Sequence, residues 1–147
     1  MSKTYIPVAL RNLVHKRAEA ACEYCLTPEL ISFAVHQIDH IIAEKHGGKT
    51  EPDNLALACV LCNKYKGSDI ASLDPETGRI AALYNPRQDI WHEHFLFKEN
   101  GTIEPLTAIG RVTAQVLRLN APERISERSI LHELLNRGVD FQNAGLG

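Results

Sequence analysis

Long apolar runs, aromatic side chains and a dominant sign of charge are all scarce in this sequence, and each absence narrows the reading. No apolar stretch of the 147 residues approaches the roughly 20 residues that a membrane-spanning helix needs, so no membrane partner is expected. Aromatic residues make up only 6% of the chain, with one Trp, and they form no stacking series, which argues against a dedicated platform for single-stranded nucleic acid. The formal net charge is −2, so no broad basic field announces a polyanionic partner. Neither an internal repeat nor a low-complexity tract is present. The first ten residues, through Leu10, contain no apolar core followed by a small-residue cleavage site, and the expected location is therefore the cytoplasm.

The rest of the composition is that of a globular domain, with 44% hydrophobic and 23% charged residues. The length suits one ordinary domain with room for an appendage. Charge is unevenly spread. Residues 1–21 carry Lys3, Arg11, Lys16 and Arg17 against Glu19 alone, while the later segments are mildly acidic. Either a solvated helix face or contact with phosphates accounts for that surplus. Phosphates, if engaged, must be held by a few well-placed charges and a metal.

The four cysteines are the most informative feature. They form two pairs, Cys22-x2-Cys25 and Cys59-x2-Cys62, with 33 residues between them. Two intervening residues let both sulfurs of a pair point at one ion, and two such pairs make a closed tetrahedral site suited to structural Zn2+. In a reducing compartment metal ligation is favoured over disulfides. Such a site supplies roughly 10–16 kcal/mol of apparent binding free energy, against a typical domain stability of about 5–15 kcal/mol. A closed site has no open coordination position, so this zinc is structural and not catalytic. The gap between the pairs exceeds the usual ribbon spacing, so a segment with its own purpose is inserted there.

Around these pairs the sequence predicts an α+β architecture. Residues 7–21 read as an amphipathic helix. Ile31 to Ile38 reads as a strand ending near Asp39-His40, followed by a polar loop over 43–54 and a return strand over Leu55–Ala58. Asn63 to Gly67 reads as the first turns of a helix. Further along, Ile80 to Tyr84 reads as a strand. Phe95–Lys98 and Thr102–Leu106 flank Asn100-Gly101 and predict a hairpin. Thr107 can cap a helix reaching about Leu119, and Asn120-Ala-Pro122 opens another, with Ile125, Ile130, Leu131, Leu134 and Leu135 as its apolar residues. The expected division is a core over residues 1–70 and an accessory extension over 71–147 packed on it.

The inserted segment contains Asp39-His40, Gly47-Gly48 and Asn54-Leu55, and Cys62-Asn63-x2-Lys66-Gly67 follows. That order and spacing, over residues 22–67, resembles the HNH nucleases of the ββα-metal fold. The resemblance implies a ββα-metal core with four-cysteine zinc knuckles, here flanked by an N-terminal helix and a C-terminal hairpin plus two helices. It implies a metal-dependent endonuclease hydrolysing phosphodiester bonds, most plainly in double-stranded DNA. His40 would be the general base that activates water. Asp39 and Asn63 would ligate a catalytic divalent ion, Mg2+ or Mn2+, and Asn54 would brace the loop and orient His40. Many family members have His where Asn63 stands, so this chain is an HNN variant.

The chemistry fits these residue types. A phosphodiester resists hydrolysis because water is a weak nucleophile, the phosphate repels it, and the leaving alkoxide is poor. Histidine titrates near neutrality and answers the first difficulty; a divalent ion held by hard oxygen donors answers the other two. Neighbouring residues on a strand face opposite ways, so Asp39 and His40 must sit where the strand ends and the chain turns, with Ile41-Ile42 anchoring that turn in the core. Lys64 and Lys66 at the helix start, and Lys45, His46 and Lys49 on the Gly-Gly loop, are the candidate nucleic-acid contacts, a solvated face being the alternative for the lysines. His36 shares a strand face with His40 and reads as partly buried and supporting. His92 and His94 share a face if they lie in a strand, and His94 reads as packed beside Trp91 and Phe95. The alternative to the enzyme is a non-catalytic zinc module that binds nucleic acid or protein.

Overall fold

The structure, a computed structural model, describes residues 4–32 and 34–138. Its first helix, α1 (Val8–Arg17), begins after Pro7, whose ψ of 148° is not yet helical. It stops earlier than the periodicity suggests, because Glu19 and Ala20 both adopt positive φ and turn the chain into the first cysteine pair. Val14 is its buried residue, while Val8 and Leu13 stay exposed.

The expected strand over Ile31–Ile38 is shorter and shifted. Pro28 leads into a single 3-10 turn over Glu29–Ile31, and β1 spans only Gln37–His40. It pairs antiparallel with β2 (Leu55–Ala58), His40 opposite Leu55 and Asp39 opposite Ala56. All four residues of β2 are buried, because each face of this hairpin is covered. Leu55 and Leu57 pack with Ile6 and Val14 beneath α1, and Ala56 and Ala58 join the main core with the cysteines. Helix α2 (Val60–Lys66) starts three residues earlier than expected, since Cys59 itself caps it: its Sγ accepts from Cys62 N at 3.4 Å.

The remaining elements are β3 (Ala71–Leu73) and β4 (Ile80–Ala82), a short helix α3 (Trp91–His94), β5 (Phe95–Phe97) and β6 (Ile103–Pro105), then α4 (Ala108–Val116) and α5 (Pro122–Asn136). Each pair of strands is a separate antiparallel two-stranded sheet. The architecture is thus α+β, with small sheets and five α-helices among the described residues. His92 and His94 belong to α3 and not to a strand; His94 Nδ1 lies 2.7 Å from Thr107 Oγ1, and its ring packs against Tyr84. Thr107 does cap α4, its Oγ1 accepting from Gly110 N at 3.1 Å. No helix among the described residues is long and apolar enough to cross a membrane.

One core cluster runs from the cysteines through Tyr84, Trp91 and Phe95 to Val112, Leu117 and Leu119. Trp91 Nε1 donates to Tyr24 O at 2.9 Å, fastening α3 to the first cysteine pair. The β3–β4 hairpin is pinned to α4 by a fork: Arg111 Nε and Nη2 reach the two oxygens of buried Asp74 at 2.9 and 3.0 Å. Hydrogen bonds from Arg111, with further ones from Thr77 and the Glu76 amide, hold the Asp74 carboxyl well below the usual carboxylate range against the opposing effect of burial. A carboxyl held low contributes stability that is present above its unfolded value, near pH 4, and that fades as the pH falls toward the held-down value. Asp74→Asn should therefore lower the melting temperature at pH 7, and the gap from the native chain should narrow in melts run at pH 3; a gap independent of pH would contradict the assignment.

Candidate active site and metal centre

The two cysteine pairs meet at one point. All four sulfurs lie within 4.8 Å of one another, and all four residues are buried. Cys25 Sγ is 3.7 Å from Cys59 Sγ, close to the ~3.8 Å edge of a tetrahedron with zinc–sulfur bonds of about 2.3 Å. Each pair has the knuckle geometry that aims its sulfurs inward, with the backbone amide of Cys25 directed at Cys22 Sγ at 3.5 Å and that of Cys62 at Cys59 Sγ. Hydrogen bonds within the cluster, that from Cys22 first, hold the Cys25 thiol well below its ordinary value, while burial pushes the Cys22 and Cys62 thiols well above theirs. The donor set fits Zn2+. Arg124 reaches in from α5, its Nη2 3.1 Å from Cys62 Sγ and 3.6 Å from Cys59 Sγ.

The first knuckle also touches the inserted segment. Tyr24, between Cys22 and Cys25, is fully buried, and its hydroxyl donates to Asp39 Oδ2 at 2.7 Å. Burial, and then the neighbouring Asp39 charge, push the Tyr24 hydroxyl well above its ordinary value, so it stays a donor. Lys66 Nζ lies 3.1 Å from Asp39 Oδ2 and 3.2 Å from the His40 carbonyl. Burial raises the Asp39 carboxyl, while Lys66 and Tyr24 act in the opposite direction. The sequence predicts Lys66 among the phosphate contacts; instead it is 2% exposed and bonded to Asp39. Its position in the last turn of α2 turns the side chain onto β1 and away from solvent.

Asp39 and His40 face opposite ways, as strand alternation requires. Asp39 lies on the side of Ala56, the cysteines and α2, whereas His40 ends β1 on the other side, with Nε2 2.8 Å from Thr50 Oγ1 and 3.9 Å from Glu44 Oε1. Ile41 is buried beyond it, but Ile42 is half exposed, so only the first of that pair anchors the turn. Asn54 ties the loop together: its Oδ1 accepts from Ile42 N, and its Nδ2 donates to the carbonyls of Ile42 and Lys49, each at 2.9 Å. Asn63, on the second turn of α2, donates through its amide to Gln37 Oε1. Asp39, His40 and Asn63 all line one cavity of about 460 Å3, together with Ala43, Glu44 and Lys45. Lys45, His46, Lys49 and Lys64 are exposed. His36, also on the zinc side, is buried with Nε2 2.8 Å from Thr27 O.

Three participants, Tyr24, Arg124 and Thr50, lie outside the residues that the sequence predicts for the site. Tyr24 carried a signal, being an aromatic with a polar tip enclosed by two metal-binding cysteines. Arg124 also carried one, since Arg124 and Arg128 stand one turn apart on a predicted helix. Thr50 had none, because its partnership with His40 is created by how the loop folds back.

Residues 22–69 match the family model of the HNH endonucleases. The resemblance read from the sequence is thereby shown for the HNH segment, and a nuclease-like function in general is supported. The chain is also similar to the Septu protein PtuA of Bacillus mycoides (strain KBAB4), at 28% identity over 98 residues. That match covers 60% of this chain but only 14% of the relative. No solved structure matches.

The HNH segment depends on the paired glycines of its loop, Gly47 and Gly48, for different reasons. Gly47 has a φ of 92° with open space around it, whereas a methyl group on Gly48 would collide with the Ile42 carbonyl and lie 2.8 Å from Asn54 Nδ2. Gly48→Ala should cost about 1–3 kcal/mol and expose the Ile42 amide to hydrogen exchange by displacing Asn54. Gly47→Ala should leave that amide protected. Equal protection in both variants would contradict the bracing geometry.

Proposed function

We propose that this chain is a metal-dependent endonuclease that hydrolyses phosphodiester bonds in double-stranded DNA, with His40 as the general base. The observation that carries the reading is that His40, Asp39 and Asn63 border a single open cavity within the HNH segment. In this proposal residues 1–70 form the nuclease core and residues 71–147 an accessory extension, and the reduced thiols suit the cytoplasm. Exposed Lys45, His46, Lys49 and Lys64 contact phosphates around the cavity.

Asp39 and Asn63 would hold the catalytic ion, and a carboxylate with an amide oxygen suits Mg2+ or Mn2+. When bound, such an ion supplies a counter-charge to the transition state and to the leaving oxygen. Tyr24 and Lys66 fix the Asp39 carboxylate. Asn54 holds the loop that follows His40, and Thr50 fixes one ring nitrogen. The other ring nitrogen takes a proton from water as its oxygen attacks phosphorus. The bond to the 3′ oxygen then breaks, and that oxygen takes a proton from solvent water, leaving a 3′-hydroxyl and a 5′-phosphate.

A second reading is favoured by one observation: the Asp39 carboxylate already has Lys66 and Tyr24 as partners. A non-catalytic zinc module that binds nucleic acid or protein would have that arrangement. Nicking of supercoiled plasmid with Mg2+ or Mn2+ separates the two. The native chain should nick, and His40→Ala should lose about 10²- to 10⁴-fold in rate. Equal nicking by both would reject His40 as the base. DNA retention without nicking by the native chain would favour the binding module.

A further inference from the structure

We infer that Arg124 is a working part of the metal centre: its guanidinium caps the four-sulfur cluster, so that zinc retention and the docking of α5 form one coupled equilibrium. Four thiolates around Zn2+ carry a net charge of two minus, and all four cysteines are buried. A buried charge without a partner is costly. Arg124 is 4% exposed and directs one nitrogen at two sulfurs, Cys62 Sγ at 3.1 Å and Cys59 Sγ at 3.6 Å. Its other terminal nitrogen donates to Leu117 O at 2.7 Å and Arg118 O at 3.3 Å. One planar fork thus bridges the sulfur cluster and the end of α4, which the single ammonium of a lysine cannot do.

The dependence runs both ways. Cys59 is the one cysteine of the four with residual exposure, and it borders a cavity of about 250 Å3 that Arg124 and Arg128 also line. The guanidinium therefore sits on the side from which solvent and competing ligands approach the sulfurs. Conversely, if the sulfurs no longer converged beside Arg124, α5 would hold a buried cation with no anion beside it. Arg128, one turn along the same face, supplies an internal contrast. It is as deeply buried, but it donates to the carbonyls of Gly101 and Leu119 and has no hydrogen bond to a sulfur.

The test uses the full chain loaded with zinc, with metal content measured by mass spectrometry and affinity by competition against a chromophoric chelator. Groups that support metal ligands typically contribute 10- to 100-fold in affinity, so Arg124→Gln should weaken zinc retention by about that factor. Arg124→Lys should fall between it and the native chain, and serves as the probe if the glutamine variant does not fold. Stripping zinc from the native chain should speed hydrogen exchange over Pro122–Asn136. The inference is overturned if zinc affinity in the Arg124 variants stays within about twofold of native, well short of that expected loss. It is equally overturned if Arg128→Gln weakens zinc as much as Arg124→Gln does, or if zinc removal leaves α5 exchange unchanged. A native chain purified without any zinc would overturn both this inference and the zinc assignment beneath it.

Discussion

Four thiolates drawn to one point impose the constraint from which the rest of this structure follows. The two pairs lie 33 residues apart, and bringing them together closes a loop whose ends are fixed and whose middle is the β1–β2 hairpin. The first pair carries Tyr24, which holds Asp39; the second opens α2, which presents Asn63 and Lys66 to β1. The same sulfurs receive Arg124 from α5, and Trp91 bonds the backbone of the first knuckle. A single cluster thus positions Asp39, Asn63, Lys66, Trp91 and Arg124, because each is bonded to a cysteine or to Tyr24 of the first knuckle, or lies on the helix that Cys59 caps.

The interior is unusually rich in cations for so small a protein, and each has a specific reason. Lys66 and Arg124 are both buried against anionic or potentially anionic partners, and Arg128 spends its donors on carbonyls. Removing one member of such a pair leaves an uncompensated buried charge, whereas the intact pair is close to neutral in stability. What these pairs provide is specificity of position. Asp39 is held in one orientation by two donors, and α5 is held in one register by two arginines on the same face.

The sequence was legible where short-range chemistry decides the outcome and opaque where tertiary contacts do. The cysteine spacing foretold the cluster, and Thr107 foretold the start of α4, because sulfur geometry and helix capping are local. The strand expected over Ile31–Ile38 failed because an apolar, β-branched run can also serve as an irregular approach; hairpin pairing begins only at Gln37. Helix α5 shows the strongest reversal. Its periodic apolar residues Ile130 and Leu135 are exposed, while Arg124, Arg128 and Leu131 form the buried stripe. Hydrophobic pattern alone cannot find a face whose partners are sulfurs and carbonyl oxygens. Lys66 obeys the same limit: a lysine at a predicted helix start reads as a phosphate contact until the fold supplies a buried carboxylate.

All of this rests on a metal held by sulfur alone, and X-ray absorption at the zinc edge of the purified chain addresses that most directly. The account predicts one shell of four sulfurs at about 2.3 Å with no lighter ligand. A shell containing nitrogen or oxygen donors would contradict it, because at least one cysteine would then stand outside the cluster on which the fold is built.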